Sequence, residues 1–208
     1  MAFQWFKVLT FISCYFLIPE NTFWINAVPK RVVIQEGSKI YLEGTTNVNT
    51  FRCHCEDYFE PKYLEVAIEP SRYVYQKAHL KITAKKLNCH NEKMNRDMYA
   101  ALKSDIHPAI QIELLDNWYD TNKSATMNTW FDIKARIKLT ITHVTKEMYI
   151  QGKVKRTSAN SFELQGKKDI LLTDFGITPP QAMLGMIKVN DLISLSFFLK
   201  IQTDNINK

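Results

Sequence analysis

Glycine and proline are scarce in this 208-residue sequence, which contains 6 Gly and 7 Pro. This scarcity excludes collagen-like and low-complexity disordered chains, and no period of about 20–50 residues repeats as it would in a solenoid. The sequence also lacks G-x-S-x-G, H-E-x-x-H and C-x-x-C motifs, the usual signatures of serine hydrolases, zinc proteases and thioredoxin-like enzymes. The 5 histidines are scattered. We therefore predict that the chain is not an enzyme and holds no metal and no cofactor.

The first 27 residues differ in composition from the rest of the chain. Lys7 precedes the apolar stretch "VLTFISCYFLIP", and a small-residue cleavage site is expected after Ala27. This arrangement is typical of a cleaved secretion signal, and the apolar stretch is short for a membrane span. We predict a signal over residues 1–27, one domain over residues 28–208, and a periplasmic or secreted protein. A retained anchor and lipidation of Cys14 stay open as alternatives.

The sequence has no acidic excess, and its net charge is +6. Its basic residues recur at every second position, as Lys134, Arg136 and Lys138 do and as Lys153 and Lys155 do again. This spacing is typical of the solvated face of a sheet rather than of a nucleic-acid interface. We expect no nucleic-acid partner, and attraction to an anionic membrane surface stays open.

Alternation of apolar and polar residues is the strongest pattern in the chain. In "FDIKARIKLTIT", residues 131–142, the apolar side chains fall on one face of a strand and the basic ones on the other. One segment, "NEKMNRDMYAALKS", has helical spacing instead, and predicts a helix over about residues 92–103. Roughly eight strands and one helix indicate an all-β fold, an antiparallel eight-stranded barrel with one short α-helical excursion.

The interior face of the predicted barrel is apolar, and Gly152 leaves room on it. An eight-stranded barrel either fills with side chains or holds one small ligand, and an apolar lumen suits a hydrocarbon chain. The residues predicted to line the lumen are Ile137, Leu139, Ile141, Ile150, Gly152, Val154, Leu195, Phe197 and Leu199.

The connection before the last strand, "TDFGITPPQAMLGMIKV", is stiffened by Pro179 and Pro180. Its apolar residues 182–186 suit a segment that packs over the mouth of a barrel. Methionine in it is adaptable and suits a variable apolar ligand.

Three stretches resemble the YceI-like family of exported bacterial proteins, and their order and spacing carry the resemblance. They are "GSKIYLEGTTNVNTFRC", "LNCHNEKMNRDMYAALKSDIHPAIQIEL" and "LLTDFGITPPQAMLGMIKVNDLISLSFFLKI", within about residues 35–202. The version with "NCHNEKMN" and "TDFGITPP" is similar to that of Bacteroidota-type bacteria.

The resemblance implies a lipocalin-like barrel that holds a polyisoprenoid chain, with a binding role and no known reaction. An apolar lipid, either a polyisoprenoid or an isoprenoid quinone, is therefore the expected partner. The alternatives are a solid-core interaction or stress-response module of the cell envelope and, with less support, a thiol redox protein.

The cysteines Cys53, Cys55 and Cys89 remain if the leader is removed. On a strand, Cys53 and Cys55 share a face and His54 points away, and C-x-C is tighter than the usual zinc spacing. An exported protein keeps disulfides, so a bond from Cys53 or Cys55 to Cys89 is favoured. Fully reduced cysteines and a metal site stay open.

Overall fold

The computed structural model describes residues 27–120 and 126–205. Over these residues the chain forms thirteen strands and one α-helix. In chain order they are β1 (Val28–Ile34), β2 (Lys39–Thr46), β3 (Thr50–Cys55), β4 (Lys62–Glu69), β5 (Arg72–Gln76), β6 (His79–Thr83), β7 (Leu87–Asn88), α1 (Glu92–Ala101), β8 (Ala109–Tyr119), β9 (Trp130–Ile141), β10 (Val144–Arg156), β11 (Ser161–Leu171), β12 (Gln181–Ala182) and β13 (Ile187–Asn205). The leader predicted for residues 1–27 lies, except for Ala27, outside the described residues.

Eight of the strands close into a ring. The order of neighbours is β1, β4, β5, β8, β9, β10, β11 and β13, and β13 returns to β1, where Ile34 pairs with Ile201. All of these pairings are antiparallel. Closure leaves no exposed sheet edge in the ring. The predicted eight-stranded antiparallel barrel with one helix is confirmed.

The long strand β13 changes partner along its length, and this creates a distinct end of the barrel. Its first half pairs with β2, and its last residues pair with β1. Strand β2 continues through β3 to β7, and α1 follows β7. We call this end, formed by α1, the β2–β3 turn and the start of β13, the mouth.

The alternating pattern of β9 places its apolar residues in the core. Ile137, Leu139 and Ile141 are buried, and Lys134 on the other face is exposed. Strand β8 pairs with β9 in one regular register up to Leu114, which pairs with Ile137.

A β-bulge then shifts the pairing register of β8 against β9 by one residue. Leu115 has no paired residue, and Asp116 pairs with Arg136 on the outer face.

Helix α1 begins at a capped end and stops two residues before its predicted end. The Asn91 side chain accepts a hydrogen bond from the backbone N–H of Met94 at 2.9 Å, which satisfies one of the free donors of the first turn. Leu102 closes the helix, and Lys103 turns the chain with a left-handed φ of 50°. None of the helices formed by the described residues has the length and apolar character needed to cross a membrane.

Candidate functional site

A cavity of about 340 Å³ opens at the mouth of the barrel. It lies at the lower end of the roughly 300–1,000 Å³ of small-molecule pockets. Three walls surround it: α1, the β2–β3 hairpin, and the segment 172–189 before and into β13. Because these walls come from distant parts of the chain, the cavity exists only when the barrel is closed and the helix is docked.

The walls of the cavity are mainly apolar. Helix α1 contributes Met94, Met98 and Ala101, and β13 contributes Val189 and Ile193. Met98 and Ala101 also pack against the main hydrophobic core, so α1 is fixed over the mouth by the same contacts that line the cavity. Flexible methionine side chains adapt to irregular apolar ligands.

Polar groups stand at the rim of the cavity. They are Thr46, Asn49, Asn91, Lys93, Asp97 and Gln181. An apolar interior with a few convergent polar groups is the usual arrangement of a ligand site. It suits a molecule with an apolar chain and a small polar end.

A disulfide joins Cys53 of β3 to Cys89, two residues before the helix cap. Both cysteines line the cavity, and Cys53 is fully buried. The bond therefore ties the start of α1 to β3, in the sheet extension that continues from β13 through β2. Cys55 is the free cysteine of the described residues.

The Cys55 thiol is poorly suited to redox chemistry. It packs against the core, and burial raises the pKa of the thiol, whereas a reactive cysteine needs a lowered pKa. Among residues 27–120 and 126–205, no three His, Cys, Asp or Glu side chains group in a way that suits a metal ion.

The predicted lumen residues lie deeper in the barrel than the cavity. Of the residues that the structure describes around the cavity, none belongs to that set. Ile137, Leu139, Ile141, Ile150, Val154 and Leu195 are buried, and Phe197 and Leu199 pack against the same core. These side chains belong to one hydrophobic cluster inside the barrel, and their role as the lining of a ligand lumen stays a prediction.

Gly152 faces Gly166 across the β10–β11 pair. A Cβ atom at Gly152 would lie 2.8 Å from the carbonyl oxygen of Gln165, and one at Gly166 would lie 2.6 Å from the Phe197 ring. The missing side chains therefore accommodate neighbouring backbone and the Phe197 ring. A bulky residue at Gly152 would shift the backbone as well as fill space.

The interior at the far end of the barrel is more polar. The Tyr75 hydroxyl donates a hydrogen bond to the buried Asn117 at 2.6 Å, and burial raises the pKa of Tyr75. Tyr73 pairs with Asn117 and stacks on Tyr119 at 4.8 Å between ring centroids. An apolar chain is accommodated better at the mouth than at this end.

A second, open depression of about 510 Å³ lies near Tyr119 and is bordered by Gly152. It carries Asp120, Asp132 and Lys134. These charged groups make it less suited to an apolar ligand than the mouth cavity.

Residues 182–186, whose apolar character favours a segment that covers a mouth, include Ala182 and Met183, and the structure places both in the cavity wall. The role of α1 as a cavity wall does not follow from its sequence. The signal was present in Met94, Met98 and Ala101, which share one helix face, but the same spacing is typical of ordinary core packing.

Comparison with protein families matches residues 35–201 to the YceI-like domain. No curated protein matches the sequence. Among solved structures, a polyisoprenoid binding domain from Saccharophagus degradans, implicated in plant cell wall breakdown, shares 13% identity and has a TM-score of 0.58, covering 85% of this chain and 99% of that one.

BcnA of Burkholderia cenocepacia shares 14% identity with a TM-score of 0.56, covering 78% of this chain and 95% of that one. The YCEI protein of Campylobacter jejuni shares 14% identity with a TM-score of 0.50, covering 79% and 85%. At these identities the three structures show that the fold is shared.

Proposed function

We propose that this chain, which belongs to the YceI-like family, binds the apolar chain of a lipid in the cavity at the mouth of its barrel. The observation that carries the proposal is the cavity itself, about 340 Å³ and walled by apolar side chains of α1, β2–β3 and β13. Burial of hydrocarbon surface in such a site contributes about 25 cal/mol per Å². Binding, storage or transport of the lipid, rather than catalysis, is the proposed role.

The class of ligand is proposed from the comparisons. The structural neighbour from Saccharophagus degradans is a polyisoprenoid binding domain, and a polyisoprenoid or an isoprenoid quinone combines an apolar chain with a small polar end. The polar rim residues Asn49, Asn91 and Gln181 suit that end with neutral hydrogen-bonding groups.

An exported location, periplasmic or secreted, is part of the proposal. Two observations support it: the signal-like pattern that ends at Ala27 and the Cys53–Cys89 disulfide, because disulfides persist mainly in oxidising compartments. Since an isoprenoid chain is insoluble in water, we also propose that the protein takes its ligand from a membrane surface.

Filling the cavity should abolish uptake of the chain. We expect Ala101→Phe to weaken binding of geranylgeraniol at least about tenfold, because the ring would occupy space between α1 and β13. Fluorescence titration with a labelled isoprenoid measures this, and circular dichroism checks the fold.

Ala100→Phe is the matched control. Ala100 is the neighbouring residue of α1 and is exposed, so the same substitution there should leave uptake unchanged. Equal uptake by the Ala101 and Ala100 variants, both folded, would place the ligand elsewhere.

Native mass spectrometry of the mature protein from its own envelope identifies the ligand directly. We expect an added mass that dissociates as a lipid. A protein that carries no lipid and takes up neither a polyprenol nor an isoprenoid quinone would contradict the proposed function.

A second candidate function is an envelope interaction module with a solid core. The observation that favours it is the packed centre, where Leu139 is fully buried and Met148 and Phe197 pack against the same cluster. Such a module would show no lipid in native mass spectrometry and no effect of Ala101→Phe on lipid uptake.

A further inference from the structure

A hairpin with an apolar tip projects beside the mouth cavity. Strand β12 pairs with the first residues of β13, Gln181 with Lys188 and Ala182 with Ile187. Three side chains of the connecting turn are exposed: Met183 at 54%, Leu184 at 105% and Met186 at 63%.

Val48, in the β2–β3 turn, is exposed at 64%. We call Val48, Met183, Leu184 and Met186 together the apolar tip. Exposed apolar side chains that group together mark interaction sites.

The backbone of the apolar tip is strained. Met183, Leu184 and Gly185 have φ values of 51°, 53° and 87°. The left-handed region suits Gly185 but is unfavourable for the two residues that carry a side chain, Met183 and Leu184. Strain of this kind persists where the surrounding structure holds it, and it clusters at functional segments.

Asn47 is the residue that holds the tip. Its side-chain amide donates to the carbonyl oxygen of Met186, and its side-chain oxygen accepts from the backbone N–H of Lys188, both at 2.8 Å. Its own backbone N–H donates to the carbonyl oxygen of Lys188 at 3.1 Å. The β2–β3 turn and the hairpin therefore form one unit, and Val48 is the residue next to this link.

The apolar tip is continuous with the cavity. Met183 is both exposed and part of the cavity wall, together with Ala182 and Ile187 of the same hairpin. A molecule leaving the cavity past Met183 would reach the surface at the tip.

The charge around the tip favours a lipid surface as the occupant. No aspartate or glutamate occurs between Asp174 and Asp191, and Lys188 is the charged residue of that interval. At the cavity rim Lys93 is accompanied by Asp97, so Lys188 is the cation on which the charge argument rests. Such a lysine is attracted to anionic headgroups while apolar side chains enter the acyl region.

A second copy of the chain is a poorer fit. A patch of four side chains is small beside the roughly 800 Å² that each partner contributes to a stable protein–protein interface.

We propose that the apolar tip inserts into the surface of a lipid bilayer and brings the mouth cavity against it, so that a lipid chain passes directly between membrane and cavity. This inference rests on the proposed function and adds the element that makes the membrane contact. Leu184 is the deepest-inserting residue, and Lys188 contacts the headgroups.

The test is flotation of the mature protein with vesicles of phosphatidylcholine and of phosphatidylcholine with phosphatidylglycerol. We expect the wild-type protein to float with vesicles, more strongly when phosphatidylglycerol is present. Leu184→Asp should reduce the bound fraction at least about tenfold, because a charge replaces a large apolar side chain. Aspartate tolerates the left-handed region better than leucine, so this variant should keep its fold and its melting temperature.

Ile68→Asp is the matched control. Ile68 is similarly exposed, at 61%, but lies at the β4–β5 end of the barrel, and its replacement should leave vesicle binding unchanged. A wild-type protein that does not float, or a Leu184→Asp variant that floats as well as wild type, would overturn the proposal. A concentration-dependent dimer in gel filtration that Leu184→Asp abolishes would also overturn it, since the occupant would then be a second copy.

Uptake of short-chain geraniol, which reaches the cavity through water, separates the two proposals. We expect Leu184→Asp to lose vesicle binding and to keep geraniol uptake. The wild-type protein could also take up no geraniol while Leu184→Asp loses vesicle binding. That result would support the apolar tip as the membrane contact and contradict the proposed lipid cavity.

Discussion

Replacing Asp116 with alanine should lower the free energy of unfolding by about 3 kcal/mol. The Asp116 carboxylate is fully buried on the outer face of the barrel. It accepts hydrogen bonds at 2.6 Å from both Arg72 and Arg136, and of the described acidic residues it is the one that pairs with both guanidiniums. Its removal leaves two cations beside each other without that anion. We expect the lower end of the usual range for a broken buried pair because each arginine is 30% exposed and can rehydrate.

The effect of Asp116 should depend on pH. Burial acts to raise the pKa of Asp116, but the hydrogen bonds from Arg136 and Arg72 outweigh it and hold the pKa below its ordinary value. A carboxylate with a lowered folded-state pKa stabilises the protein fully above its unfolded value of about 3.9, and the contribution is lost as the pH falls through the folded-state pKa. Urea unfolding at pH 7 and near pH 3 measures the difference between wild type and variant, which should be largest at pH 7.

Glu147→Gln is the control for Asp116. Glu147 pairs with the same Arg136 at 3.0 Å but is 47% exposed, and an exposed pair contributes about 0–1 kcal/mol. If the Asp116 variant unfolds like the Glu147 variant at pH 7, the buried carboxylate does not stabilise the β5–β8–β9 wall.

Strand alternation predicted most of the fold because one face of each strand must be buried. In β9, Ile137, Leu139 and Ile141 fall on the interior face as their spacing indicates. The same reasoning could not place Asp116, because the bulge at Leu115 exchanges the two faces of β8 within a strand that reads as continuous. A single extra residue has no composition signal, so the Arg72–Asp116–Arg136 cluster becomes visible only in the paired structure.

The site was harder to predict than the fold for a physical reason. The sequence pattern of interior residues such as Ile150 and Leu195 is the same in a filled barrel and in a hollow one, because apolar side chains line the interior of both. The mouth cavity depends on how α1 and the 172–189 segment meet above the sheet. These contacts join residues that are far apart in sequence, and periodicity within one element carries no information about them.

Removing the disulfide should destabilise the protein and weaken ligand uptake together. The Cys53–Cys89 bond closes a loop with a sequence separation of 36, and chain entropy predicts about 4 kcal/mol of stabilisation for a loop of that size. Cys89→Ala is the better variant, because Cys53→Ala leaves Cys55, which lies on the same face of β3, free to bond Cys89 instead. We expect Cys89→Ala to lower the free energy of unfolding by roughly 2–4 kcal/mol in urea.

The loss of uptake follows from the position of the bond. Cys89 precedes the Asn91 cap of α1, and both residues line the cavity, so breaking the link frees the wall that the helix provides. Cys55→Ala, the control, removes a half-buried thiol without touching the bond, and it should leave isoprenoid uptake unchanged. Wild type treated with dithiothreitol should approach the stability and uptake of the Cys89 variant, which should itself not respond to the reductant. If reduction leaves uptake unchanged while lowering stability, the packing of Met98 and Ala101 and the hydrogen bonds of Tyr99 and Asn95 hold α1 over the cavity without the disulfide.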